Sequence, residues 1–251
     1  MSGHSKYANI KHKKGRMDAQ RGKIFTKIAR EILVAAKQGG GDPNTNFALK
    51  IAIQKAKENN MPADNINRTI QKALGTNDAE VYEELYYEGY GPEGVAVMVK
   101  TLTDSRNRTA SEIRYIFSRS GGGLGETGCV AWMFAMKGVL RSSLEELGID
   151  EDEITLSAID AGAEDVKVED GDVEILSDPG DFEKVKTALE ASGLKFAEAE
   201  ITMMPQNSVE INNKAAAEKV IRLIDALEDN DDVQAVYANF DIDDEILNEL
   251  E

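Results

Sequence analysis

The chain has 251 residues, 41% of them hydrophobic, a single cysteine and a formal net charge of −17. The lone Cys129 excludes a disulfide framework, and the longest unbroken apolar run, CVAWMFAM at 129–136, is far too short to span a membrane. No apolar stretch follows the charged N-terminus, so no signal peptide is expected, and the totals read as a soluble cytoplasmic protein of two or three domains with no membrane partner.

The first 17 residues show no periodicity and read as a basic extended tail, dense in Lys6, Lys11, His12, Lys13, Lys14 and Arg16. From Asp18 the pattern turns helical. Ile24, Ile28 and Ile32 recur every four residues beside Phe25, Ala29, Leu33 and Ala36, until GGG at 39–41 stops the run. A second helix follows DPNTN, with Phe47, Ala48, Ile51, Ala52 and Ala56 on one side, and NNMP ends it. Pro62 suits the first turn of a third helix striped by Ile66, Ile70 and Leu74 and stopped at Gly75. These three make a small bundle with a basic surface.

After GTND the grammar becomes that of strands. YEELYYEGY and EGVAVMVKTLT read as strands around a Gly-Pro turn. RNRTASEIRYIFSRS reads as a helix with Ala110, Ile113 and Phe117 inward, GGGLGETG as a mobile loop and CVAWMFA as a strand. From GVLRSS to FAEAEITMM the order is βαββαβ, a ferredoxin-like arrangement. SVEI, the helix NKAAAEKVIRLIDALED and the strand VQAVYANFDI then complete the interrupted earlier half. The expected fold is multidomain α+β: a three-helix bundle and two ferredoxin-like α/β domains, one inserted in the other. The boundaries are a tail at 1–17, a helical domain at 18–78, a discontinuous α/β domain at 79–136 and 205–251, and an insert at 137–204. Two α/β domains in simple series are the alternative, which would leave each without a full sheet.

The charge is divided along the same lines. Residues 1–75 hold 15 Lys and Arg against 5 Asp and Glu, a net of +10; residues 76–251 hold 14 against 41, a net of −27. Such asymmetry points to a polyanion partner for the basic end. The competing reading is that the basic domain complements the acidic body within the molecule. At 100° per residue, Lys23, Lys27, Arg30 and Lys37 fall within about 80° of one another, opposite the isoleucine stripe, and Arg21 joins the same basic helix. A polar face almost wholly of one sign favours an external anion over internal i,i+4 pairing. Candidate nucleic-acid contacts are therefore Lys6, Tyr7, Asn9, Lys11, His12, Lys13, Lys14, Arg16, Arg21, Lys23, Lys27, Arg30 and Lys37. Arg106 and Arg108, in the first turn of a helix, are a candidate second phosphate site or, equally, partners for the chain's own carboxylates.

Other motifs argue against catalysis. GLGETG at 123–128 matches G-x-G-x-x-G, but a helix precedes it and a strand follows, the reverse of a dinucleotide site. No P-loop is present. The two histidines, His4 and His12, lie in the tail, far in sequence from Cys129, so neither a metal site nor a Cys–His nucleophile is expected. The acidic runs DEDE (150–153) and EDNDD (228–232) lack calcium-loop spacing and read as solvated turns. No catalytic residue, metal or cofactor is expected.

GHSKYANIKHKKG, GGGDPNTNFALKIAIQKAKENNMPADNINRTIQKALG, TDSRNRT and GGGLGETGCVAWMF resemble the YebC/PmpR family, which includes the mitochondrial translational activator of cytochrome c oxidase. The resemblance covers essentially the whole chain; Tyr7 stands where many members have tryptophan. It implies a three-domain cytoplasmic protein, one helical and two α/β domains, that regulates gene expression and is not an enzyme. Bacterial members are commonly named DNA-binding transcriptional regulators, and mitochondrial and some bacterial members are linked to translation. Three functions follow as expectations: duplex DNA binding that regulates transcription, RNA or ribosome binding that assists translation, and docking of the acidic body on a basic ribosomal or polymerase surface.

Overall fold

A computed structural model of the chain describes residues 17–75 and 82–250. The tail expected over 1–17 lies, but for Met17, outside them.

Three helices open the described chain: α1 (Met17–Gly39), α2 (Phe47–Glu58) and α3 (Ala63–Gly75). They close on one core of Ile28, Ile32, Leu33, Ala36, Leu49, Ala52, Ala56, Ile66 and Ile70. Asn46 ties the first two together. Its side-chain oxygen caps α2 by accepting from the Leu49 N–H, while its amide donates to the carbonyls of Ala35 and Gly40. That cap sets the rotation of α2. Leu49, Ala52 and Ala56 turn inward, so Phe47 (64% exposed) and Ile51, expected in the stripe, face out. On α3 Ala73 turns inward with Ile66 and Ile70 while Leu74 is exposed, and on α1 Ile24 is exposed. Small alanines let the helix axes approach closely, which a stripe of large side chains would prevent.

The body begins with β1 (Glu83–Tyr90) and β2 (Ala96–Thr103), antiparallel around Gly91–Val95. Next come helix α4 (Arg106–Arg119) and the two-residue β3 (Gly123–Leu124) on the free edge of β1. Gly89 permits that edge pairing, since a Cβ there would stand 2.5 Å from the Gly123 carbonyl. The inward residues of α4 are Thr109, Ile113 and Phe117; Ala110 is half-buried.

A second antiparallel sheet follows. Its strands are β4 (Phe134–Ser143), β5 (Asp165–Glu169), β6 (Asp172–Ser177) and β7 (Glu198–Pro205), in the spatial order β5-β6-β4-β7. Between them run a short α5 (Leu144–Leu147), α6 (Glu151–Ala161) and α7 (Phe182–Ala191). Helices packed on one face of a sheet in this order are ferredoxin-like. The strand expected over 129–135 begins only at Phe134 and runs unbroken into GVLRSS; residues 131–133 form a 3-10 turn.

The chain then returns. Strand β8 (Val209–Ile211) leads into helix α8 (Lys214–Glu228), strands β9 (Val233–Ala238) and β10 (Phe240–Ile242), and helix α9 (Asp244–Glu249). β9 pairs with β2, giving the first sheet the order β3-β1-β2-β9, whereas β10 pairs in parallel with β8. The single strand expected over 233–242 is thus divided at Asn239. This buried side chain accepts from the Ala96 N–H at 2.7 Å, and its backbone carbonyl takes the Val209 N–H at 2.7 Å. It hands the chain from one sheet to the other. Helices α4 and α8 cover one face of the first sheet over a core that includes Val97, Val99, Phe117, Leu223 and Phe240. The opposite face is closed by Val130, Phe134 and Met203 against Ala96, Met98 and Tyr237. The fold is α+β: a helical N-terminal region followed by antiparallel sheets with helices.

Candidate nucleic-acid interface

Helix α1 carries the basic face expected from its spacing, and the structure turns three of its four cations onto the body. Lys23 Nζ lies 3.0 Å from Asp229, Lys27 Nζ donates to the Glu228 carbonyl at 2.6 Å, and Arg30 Nη1 lies 2.9 Å from Asp232 and also donates to the Asp231 carbonyl. The receptor is EDNDD at 228–232, the turn between α8 and β9. Read from sequence as a solvated run, it is the internal partner of α1. For Lys23, Lys27 and Arg30 the complementing-domain reading describes the molecule better than a free face does. Lys37 remains exposed at the far end of the helix, with Lys50 and Lys57 exposed on α2 and Arg68 on α3.

These pairs are not equal in weight. Lys23 and Asp229 are both largely exposed, and such pairs stabilise by about 0–1 kcal/mol. Asp232 is different: its side chain is only 4% exposed. Besides Arg30 it accepts from Arg108 at 2.7 Å and from the hydroxyls of Thr109 and Thr103 at 2.7 and 3.2 Å. Burial alone would raise its pKa, but the Arg108 and Thr109 hydrogen bonds and the charges of Arg108 and Arg30 outweigh it and hold the carboxyl below its ordinary value. Arg108 is raised in turn, chiefly by its hydrogen bonds to Asp232 and Asp104. Arg30 also stands 5.6 Å over the Tyr82 ring.

The same carboxylate meets Arg108, one of the two arginines expected to hold a phosphate or, equally, a carboxylate of the chain itself. Beside the first turn of α4, the anion is the chain's own Asp232, held by Arg108 and Thr109. Arg106 points elsewhere and pairs with Glu83 at 3.3 Å, both side chains being exposed. The alternative of internal carboxylate partners therefore describes both arginines.

The glycine loop is pinned, where mobility was expected. Glu88, buried on β1, accepts from the N–H groups of Gly128, Val130 and Ala131 at 2.7 to 2.9 Å. Burial would raise its pKa; the three backbone donors outweigh that and lower it. Gly125 lies so close to Cys129 that a Cβ would stand 2.5 Å from the sulfur. Burial pushes the Cys129 thiol up, and the carboxylates of Glu88 and Glu126 add to the effect, so it stays a thiol. The motif runs from helix α4 through β3 into a 3-10 turn, so no helix N-terminus faces it as a dinucleotide would need. The loop instead holds Trp132 at the surface, 65% exposed, with its Nε1 donating to the Cys129 carbonyl at 3.1 Å. No sequence signal marked Glu88 as the organiser, because a glutamate on an alternating strand looks like any solvated one.

Lys6, Tyr7, Asn9, Lys11, His12, Lys13, Lys14 and Arg16 lie outside the described residues, as does the side chain of Arg21. Among the described residues no group of three or more His, Cys, Asp and Glu is arranged to hold a metal ion, and no helix is long and apolar enough to cross a membrane.

Comparison with known proteins bears on the whole chain. Residues 5–76 match the family described as TACO1/YebC protein N-terminal domain, and residues 82–240 match TACO1/YebC second and third domain. A protein of Halothermothrix orenii is 55% identical over 250 residues, covering 100% of this chain and 99% of its own length. One from Desulfitobacterium hafniense is 57% identical over 246 residues, covering 98% of each. Both are named "Probable transcriptional regulatory protein". The crystal structure of a conserved hypothetical protein from Aquifex aeolicus superposes with a TM-score of 0.80 at 47% identity, covering 92% of this chain and 94% of that one.

Proposed function

The chain belongs to the TACO1/YebC family, and from that premise we propose that it is a non-enzymatic, cytoplasmic regulator of gene expression that binds DNA through its N-terminal part and regulates transcription, the role in which its relatives are named. The observation that carries this reading is the division of charge: a helical region and tail of net +10 attached to a body of net −27. The contacts are the tail residues Lys6, Tyr7, Asn9, Lys11, His12, Lys13, Lys14 and Arg16, with Arg21 and the outward Lys37. Lys23 and Lys27 contribute by exchanging the 228–232 turn for phosphate, and Arg30 adds its charge beside them while it stays on Asp232. Binding needs no cofactor. The working units are the helical domain 18–78, the discontinuous α/β domain 79–136 with 205–251, and the insert 137–204.

The body's charge favours a second reading. A free duplex attracts only the N-terminal part and repels the rest, whereas a ribosome offers phosphate beside basic protein surface and satisfies both halves. Crosslinking in cells, followed by sequencing of the bound nucleic acid, decides between them. Enrichment of promoter DNA supports the transcriptional reading, ribosomal RNA transfers the function to translation, and enrichment of neither overturns nucleic-acid binding.

A further inference from the structure

Helices α4 and α8 lie side by side over the first sheet and leave a groove of about 840 Å³ between them, floored by Pro92, Ile116 and Ala226. Its rim is unlike the rest of the acidic body. Tyr115 presents its ring 61% exposed, and Arg119, one turn later on α4, donates from Nη1 to the Tyr115 hydroxyl at 3.0 Å. From α8 come Lys219 and Arg222, both exposed. The body has 41 Asp and Glu for 14 Lys and Arg, yet among the described residues neither Arg119 nor Lys219 meets a carboxylate. Arg222 makes only a 3.4 Å contact with Glu218, its side chain 77% exposed. Of the acids, Glu93 lines the groove and Glu218 meets Arg222.

An open aromatic face flanked by three weakly engaged cations has the chemistry of a base-stacking platform with phosphate contacts. The apolar floor has no buried polar side chain to read a base edge, so the site suits a strand of any sequence better than one particular nucleotide. We propose that this groove binds a short single-stranded nucleic-acid segment, one base stacked on Tyr115 and its flanking phosphates held by Arg119, Lys219 and Arg222. This rests on the nucleic-acid reading above and adds to it a contact on the acidic body, remote in sequence from the basic N-terminal part. A single strand bends into the groove and keeps its phosphates on the cationic rim, whereas a stiff duplex cannot offer an unstacked base.

The test uses the full chain and fluorescent strands of about eight nucleotides, within the span such sites cover. RNA and DNA strands form separate arms, and a duplex of the same sequence forms a third. Tyr115→Ala should weaken single-strand binding about tenfold, and Tyr115→Phe, which keeps the ring, should retain it. Arg119→Gln with Lys219→Gln should reduce the log–log salt slope for single strands by about 0.7 for each phosphate that is no longer held, a larger change than for the duplex. A 5-iodouracil strand should crosslink to the peptide that carries Tyr115. Weaker binding in both single-strand arms, or in the RNA arm alone, supports the groove and names the source of the strand. If Tyr115→Ala binds single strands as the parent does while the duplex still binds, the groove is overturned and the N-terminal reading stands. If the parent binds neither strand nor duplex, both fall.

Discussion

Arg30 and Asp232 stand 202 residues apart in the chain and meet at 2.9 Å, with Asp232 almost wholly enclosed. This pair joins the basic helical region to the acidic body, and Asp232 also anchors Arg108, Thr103 and Thr109. Removing one partner of a buried pair leaves the others without compensation.

Asp232→Ala is therefore expected to destabilise the protein by about 3–5 kcal/mol, read by urea unfolding with the single tryptophan, Trp132, as probe. Asp232→Asn, which keeps an acceptor but no charge, should fall between. Lys27 behaves oppositely. Burial lowers its pKa despite the carboxylates of Glu228, Asp231 and Asp229 nearby, so its charge is a cost in the folded state. Lys27→Met should change stability by less than about 1 kcal/mol. A Lys27→Met effect equal to that of Asp232→Ala would place the anchor on the wrong residue.

The acid limb of stability follows from Asp232 and Glu88. Both are held below their ordinary values of 3.8 and 4.5. A lowered folded pKa means stabilisation that is complete above the ordinary value and lost as pH falls through the folded one. Stability should thus be insensitive to these two groups near neutrality and drop below about pH 4. Asp232→Asn should flatten the drop. An unchanged acid limb in that variant would assign it to other carboxylates.

Much of this fold was legible because hydrophobic period and glycine punctuation are local signals. The three N-terminal helices, the βαββαβ insert and the return of 233–238 to the first sheet all followed from them. The misses were of another kind. Phe47 faces out where Asn46 caps α2 and Leu49, Ala52 and Ala56 take the inside, and Leu74 faces out where Ala73 turns in, a rotation that periodicity alone cannot fix. The break at Asn239 depends on a side chain bonding to Ala96, 143 residues away. The internal pairing of Lys23, Lys27 and Arg30 was not legible: a one-signed helix face is the same string whether or not the chain's own EDNDD also meets it.

Cys129 tests the absence of a nucleophile. It packs beside Val130 and Phe134, and its pKa is raised, so alkylation by iodoacetamide at neutral pH should be slow. Cys129→Ala should keep nucleic-acid binding intact at a modest cost in packing. Glu88→Gln should do more harm to the same loop, because the one remaining carbonyl oxygen can face only one side, leaving the amide nitrogen against either the Gly128 N–H or those of Val130 and Ala131. A destabilisation of about 1–3 kcal/mol is expected, with faster amide exchange at those three positions. Abolished binding in a folded Cys129→Ala protein would reopen the question of a catalytic thiol.

The 228–232 turn occupies the face of α1 that a polyanion would take, so it competes with one. Asp229→Asn with Asp231→Asn removes two carboxylates that neighbour Lys23 and Lys27 while sparing the Asp232 anchor. If nucleic acid uses this face, the double variant should bind duplex DNA more tightly at low salt. Its log–log salt slope should steepen by about 0.9 for each lysine that gains a phosphate. Lys50→Ala with Lys57→Ala, on the outward side of α2, serves as the comparison. The two experiments separate the inner face from the outer one. Tighter binding after neutralising the turn makes EDNDD an internal phosphate mimic that holds non-specific binding in check. No change there, with weaker binding when the α2 lysines are removed, would mean that Lys23, Lys27 and Arg30 are structural and that nucleic acid approaches the helical region from outside.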